Sequence, residues 1–407
     1  MDEKPRCAQL DRLGGWLTAL LPVGLMLGNG AAETVAGLLV LAFLFRSWRL
    51  SDWQWLNQTW VRVLLLTCAF EIVRGAFAWH PRAVMIDSLG WIRFVILAVA
   101  LQRWILPHTN WQQRLLDSGL ICVSWLALDA IFQYVHGKDL FGHPILFPQR
   151  LTASYPKPIV GIMLAWQFLP YVMGDFGRGR SIRAAVITLL AMTAIVLSGE
   201  RMALLFVLMS FFLVIAVMPT LRRAGILLLL LFVLGTAGLM AMKPELYQRQ
   251  VTSTVHTIRN LPDSPYGVIW QSAIDIIKTE PLIGIGRGNF IHECPKPVYG
   301  PDDGKHIGYS RCAPHPHNIY LEWLVDGGIV ALTGFVLAMA IIIRQFWQPL
   351  RRGLTRDPLY VALLVTFLAR LWPLSSATSF FHGWSAIPFW MMLGWGLARA
   401  ERRNASA

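Results

Sequence analysis

Cys312-Ala313-Pro314-His315-Pro316-His317-Asn318-Ile319-Tyr320-Leu321-Glu322-Trp323 closes a long polar segment and opens an apolar run that continues to residue 343. Prolines at 314 and 316 hold the chain extended, so a helix starts only after them. The run 316–343 exceeds the about 17–25 apolar residues that cross a bilayer. It carries Gly327-Gly328 in its interior. Read as the entry to a membrane span, the stretch puts the His317 imidazole at a helix N-terminus on a membrane surface. A group of that kind accepts a proton near neutral pH.

Eleven more apolar runs lie near 13–28, 30–46, 61–79, 87–105, 115–135, 157–173, 183–198, 201–218, 224–242, 359–376 and 384–400. With 55% hydrophobic and 14% charged residues in 407, the composition excludes a soluble globule. The expected fold is all-α: a polytopic integral membrane protein of about twelve transmembrane helices with a large, partly helical loop. Residues 1–242 would hold spans one to nine, 243–314 the loop, and 315–407 spans ten to twelve with a tail. Basic residues precede the first run without a small-residue cleavage site, which reads as a retained span.

The formal charge of +13 raises nucleic acid as a partner. With the N-terminus inside, however, 20 of the 36 basic residues fall in the connections of one side, against eight acidic ones. The positive-inside rule accounts for that asymmetry, and the charge implies no nucleic acid. Both termini are then cytoplasmic and the 243–314 loop is periplasmic, with eight basic and seven acidic residues. Cys294 and Cys312 share that loop, a disulfide candidate in an oxidising compartment that spacing alone leaves open. Ser264 is placed to cap a helix over about 265–279, with Ile269, Ala273 and Ile277 on one face, lying on the membrane or on the bundle. Pro281 ends it. Gly284-Ile285-Gly286-Arg287-Gly288-Asn289-Phe290 follows as a flexible turn presenting one arginine, with glycine spacing wrong for a dinucleotide site.

Cations inside spans are costly unless paired or bordering water. Arg74, Arg93 and Arg370 are such cations, and Arg201 opens a span after Ser198-Gly199-Glu200. With Arg287 and Arg311 they form a one-sided set at headgroup depth. Guanidinium suits phosphate through its rigid fork and permanent charge, so a lipid pyrophosphate is the fitting ligand. Snorkelling or local pairing, such as Arg74 with Glu71 three residues earlier, is the alternative. His315 and His317 with His292 or His306 would be the set for zinc, but no paired ligand motif accompanies them. Asn318 and Glu322 are the residues placed to orient His317, although Glu322 is five positions away.

These motifs together resemble the O-antigen ligases, within the wider group of O-antigen polymerases and protein O-glycosylating ligases. The carriers are His315-Pro316, His317-Asn318, Gly328, Thr333-Gly334, Ser198-Gly199-Glu200-Arg201, and Trp270 with Pro281-Leu282-Ile283-Gly284-Ile285-Gly286. The resemblance implies a membrane glycosyltransferase that moves a glycan from undecaprenyl pyrophosphate to lipid A–core at the periplasmic face of the inner membrane. It implies no metal, nucleotide or other cofactor. His317 would be the general base, with His315 beside it, and Arg201 and Arg287 the pyrophosphate ligands. Arg74 and Arg93 join them by depth alone. A polymerase or protein-glycosylating ligase is the alternative within the class. A polysaccharide transporter or flippase is the alternative outside it, and would carry internal symmetry and broken helices in pairs.

Overall fold

A backbone inside hydrocarbon must satisfy its own N–H and C=O groups, and each apolar run of the sequence falls on a helix. The computed structural model describes residues 3–78, 80–146, 150–299, 310–351, 356–375 and 378–404. In order the helices are α1 (Glu3–Leu27), α2 (Asn29–Arg49), α3 (Thr59–Gly75), α4 (Pro81–Ala100), α5 (Thr109–His136), α6 (Val160–Gly177), α7 (Ser181–Leu197) and α8 (Arg201–Val217). Next come α9 (Arg222–Met242), α10 (Pro244–Tyr247), α11 (Ser253–Arg259), α12 (Pro265–Thr279), α13 (Phe290–Glu293), α14 (Ile319–Arg351), α15 (Pro358–Arg370) and α16 (Gly383–Asn404). There are no strands among the described residues, only two isolated bridges, Lys138 with Pro144 and Leu146 with Arg150.

Six helical stretches are long and apolar enough to cross a membrane: Ala8–Leu27, Asn29–Arg49, Pro81–Ile105, Thr109–His136, Pro219–Met242 and Ile319–Arg351. The other runs fold as shorter or more mixed helices, among them the apolar α7, α8 and α15. Length and composition therefore support six of the twelve expected spans.

The long helices alternate in direction and share one apolar core, with Trp60, Trp91, Trp323, Trp390 and Trp395 fully buried in it. α14 packs on α3, α15 on α6, and α16 on α4. One end of the bundle gathers the ends of α3, α7, α9 and α15 with the starts of α4, α6, α8, α14 and α16. α12 lies on this end against α14. Ser264 caps α12 by accepting from Gly267 N at 3.1 Å, as its sequence predicts. The face α12 buries centres on Ile269, Ala273 and Ile276, one position off the expected Ile277, which is partly buried. It forms a small core of its own with Ile285, Phe290, Cys294 and Val325.

Candidate active site

The site begins with a break in α14. Gly328 has φ 62° and ψ −163°, outside the helical region, so the carbonyls before it and the amides after it lose their helical partners. The segment 281–286 supplies replacements. Ile285 N donates to Val325 O at 2.9 Å and Gly286 N to Asp326 O at 2.8 Å. In return Ile329 N donates to Pro281 O at 3.0 Å and Val330 N to Leu282 O at 3.3 Å. The approach is close enough to require glycine on both sides. A Cβ on Gly284 (φ 63°) would sit 2.6 Å from Val325 O, and one on Gly328 would strike the Leu282 carbonyl. Hence the Gly284–Phe290 stretch, expected as a flexible turn, is docked: the helix break and the loop glycines are two halves of one joint.

Arg74 secures that joint from α3, its Nη2 and Nε donating to Gly284 O at 2.7 and 3.2 Å. The Glu71–Arg74 pair, the alternative to a phosphate role for Arg74, is not formed. Glu71 instead pairs with Arg287, because the docked loop turns Arg287 inward over α3. Both residues are 3% exposed in their side chains, so Arg287 does not present its charge at a surface. Its guanidinium lies 3.4 Å from the Phe381 ring centroid and 5.4 Å from those of Trp91 and Trp323. Burial lowers its pKa, and the nearby Asp326, Cys68 and Glu322 oppose that shift.

The histidines stand just before the start of α14. Asn318 caps α14, its Oδ1 accepting from Tyr320 N at 3.0 Å and Leu321 N at 3.1 Å. Its Nδ2 donates to Pro373 O at 2.6 Å and ties the cap to the α15–α16 connection. His317 precedes the cap with φ 54°, a left-handed conformation that histidine visits more readily than most side chains. Its half-buried ring lies 4.2 Å from the His315 ring and 6.3 Å from that of Tyr266, edge to face with the latter. Glu322 accepts from Phe380 N at 2.8 Å and lies within electrostatic reach of His317.

Tyr266 in turn borders a cluster of cations. Arg201 Nη1 donates to Ser253 O at 3.1 Å and to Thr257 Oγ1 at 3.0 Å. Arg249 Nε donates to Gly199 O at 2.8 Å, and Arg150 Nη2 to Pro158 O at 2.7 Å. The three are close enough to repel: burial lowers the pKa of Arg249, and Arg150 and Arg201 lower it further, while Glu200 and Tyr266 oppose. Glu200 is buried beneath them and accepts from Gly161 N at 2.8 Å and Ile162 N at 3.3 Å, closing the start of α6. Burial pushes its carboxyl up to about 7, held back by Arg150, those two N–H groups and Arg249.

Arg249, Arg150 and Tyr266 were not singled out by the sequence, and Glu200 stood there only as part of the motif before Arg201. A signal existed: Arg150 and Arg249 stand on the side that the positive-inside rule leaves poor in basic residues. Of the other expected residues, Arg93 is in a two-pronged pair with Glu33, 2.9 Å at each contact. Arg370 is buried over the Trp166 ring, donating to Ser385. Arg311 is buried too, donating to Cys294 O at 2.7 Å and to Tyr299 O. Only Arg201 of the expected arginines joins the cation cluster beside the histidines. No group of three or more potential metal ligands occurs among the described residues; His306 lies outside them.

Cys294 and Cys312 are joined, with Cα atoms 5.6 Å apart. The bond fixes α13 to the strand of chain leading into His315. Thiol labelling of denatured, unreduced protein is expected to leave both unlabelled while the free Cys68 and Cys122 react. Labelling of Cys294 would show the staple to be open.

Residues 185–336 match the family model described as O-antigen ligase. The segment runs from α7 into α14 and includes Arg201, Arg249, Tyr266, Arg287, His317 and both halves of the glycine joint. The resemblance read from the motifs thus holds for this part of the chain, while Arg74, Arg93 and Arg150 lie outside it. A comparison with curated proteins gives no match.

Proposed function

We propose that the protein is an O-antigen ligase, a glycosyltransferase that moves a glycan from undecaprenyl pyrophosphate to the lipid A–core oligosaccharide. In this reading twelve spans cross the bacterial inner membrane, both termini are cytoplasmic, and the site faces the periplasm, where a disulfide persists. The observation that carries it is a cluster of three arginines, two of them within the matched segment, that meets a histidine pair through Tyr266. Arg201, Arg249 and Arg150 hold the pyrophosphate. His317 takes the proton of the acceptor hydroxyl as that oxygen forms its bond to the anomeric carbon, and the bond to the pyrophosphate oxygen breaks. The departing charge is stabilised by the guanidiniums. A single displacement inverts the anomeric centre. Arg287 and Arg74 serve by fixing the joint in α14, and Arg93 by bracing α4 on Glu33. Purified protein supplied with lipid-linked O-antigen and rough lipopolysaccharide, without metal or ATP, should build a ladder on the lipopolysaccharide. Extension of the lipid-linked glycan alone would make it a polymerase.

Arg201→Lys keeps the charge and loses the fork. Transfer should fall by about 10²–10³-fold, the usual cost of one lost electrostatic donor; full activity would reduce Arg201 to an interface anchor.

Glu200 makes donor binding depend on pH. Its carboxyl sits at about 7, so acidification through neutrality neutralises it and adds one net positive charge to the cluster. KM for the lipid-linked donor should therefore fall as pH drops from 8 to about 6. Glu200→Gln should hold KM low and flat across that range; an unchanged pH profile in the variant would remove Glu200 from the donor site.

A further inference from the structure

The opposite end of the bundle holds a second basic site. A cavity of about 320 Å³ opens between the start of α5, the end of α6, the start of α15 and the end of α16. That volume is at the lower bound of ligand pockets, about 300 Å³. Its lining includes Leu116 and Leu359, and carries Arg178, Arg356 and Arg399 against one acid, Asp357. Arg399 Nε donates to Asp357 Oδ2 at 2.7 Å and its Nη1 to Gln112 Oε1 at 3.0 Å. Arg178 is fixed by Asp117 at 2.5 Å and by Gln113 O at 3.1 Å. Arg356 is exposed and belongs to none of the ion pairs among the described residues. Two arginines are thus pre-positioned and a third adds charge that no lining acid neutralises.

We infer that this cavity binds the phosphodiester of an anionic membrane phospholipid. A phosphate diester offers the acceptor oxygens that guanidinium forks engage. Leu116 and Leu359 give the cavity an apolar lining beside the arginines, which suits a phosphate that is joined to acyl chains. Exposed Trp48, Trp53 and Trp347 lie at this end of the helices, where tryptophan marks the membrane–water interface, so the cavity sits at headgroup depth. The site lies at the far end of the bundle from His317 and takes no part in the transfer reaction.

The test uses the full chain in mixed micelles with either phosphatidylglycerol or phosphatidylcholine, scored by native mass spectrometry for retained lipid. Phosphatidylglycerol should be retained over phosphatidylcholine. Arg356→Gln, which removes an exposed side chain, should cut that retention by about tenfold, the order of one charge-assisted hydrogen bond. Arg222→Gln, exposed at the same end on α9, is the control for general attraction to an anionic surface and should leave retention within about twofold. Equal losses in the two variants would overturn the site. So would equal retention of the two lipids. An Arg356-dependent binding of inorganic phosphate that displaces phosphatidylglycerol at equal concentration would assign the cavity to a free anion instead of a lipid.

Discussion

His317→Gln is expected to lose glycan transfer by about 10²–10⁴-fold, the range for removal of a general base, while the protein still inserts and retains its lipid-linked donor. The geometry adds a control. His317 has φ 54°, so a substitution there disturbs both the chemistry and a left-handed backbone. Asparagine tolerates that conformation better than glutamine and equally lacks a basic nitrogen. His317→Asn should therefore be as inactive as His317→Gln, with a melting temperature nearer the wild type. Activity in His317→Asn and none in His317→Gln would assign the residue to the turn and not to the proton. Wild-type rates in both would move the base elsewhere, first to His315, whose ring lies 4.2 Å away. His315→Gln itself should cost less than His317→Gln, because His317 is the ring that borders Tyr266 and the cation cluster.

The parts of this molecule legible in its sequence are those set by local rules. Apolar run length gave the helix positions, Ser264 and Pro281 gave α12, and Pro314 and Pro316 gave the start of α14, although its cap, Asn318, was read only as a partner for His317. What stayed hidden was pairing over long separations. Nothing around Gly284 says that its neighbours bond to Val325 and Asp326, since the glycine that breaks α14 and the glycines that fill the break are some 40 positions apart. The same joint decides the fate of Arg287. Read locally, an arginine between glycines is a mobile phosphate ligand; docked on α14, it points into an aromatic cage and meets Glu71. Arg249 reaches Arg201 because α9 returns the chain beside α8, a contact with no local periodicity to announce it.

Arg287 and Glu71 give the largest expected effect on stability. Taking one partner from a buried ion pair leaves the other charge uncompensated and costs about 3–5 kcal/mol. Glu71→Gln still leaves Arg287 beside Asp326 and Glu322, which act on it electrostatically, so its loss should fall at the low end. Arg287→Met is the severe change. It removes the cation that pairs with Glu71 and acts on Glu322 and Asp326, all three buried, and should destabilise the protein by at least that amount, read as thermal unfolding in detergent. Arg287→Lys separates charge from shape. Lysine keeps the cation but loses the planar group that lies on Phe381 between Trp91 and Trp323, an arrangement that favours guanidinium. Its melting temperature should fall between those of the wild type and Arg287→Met. A pyrophosphate ligand would behave otherwise: Arg287→Met would melt like the wild type and lose only donor binding. That pattern would require Arg287 to leave Glu71 during turnover, and the joint at Gly328 would then have to open to let it reach the histidines.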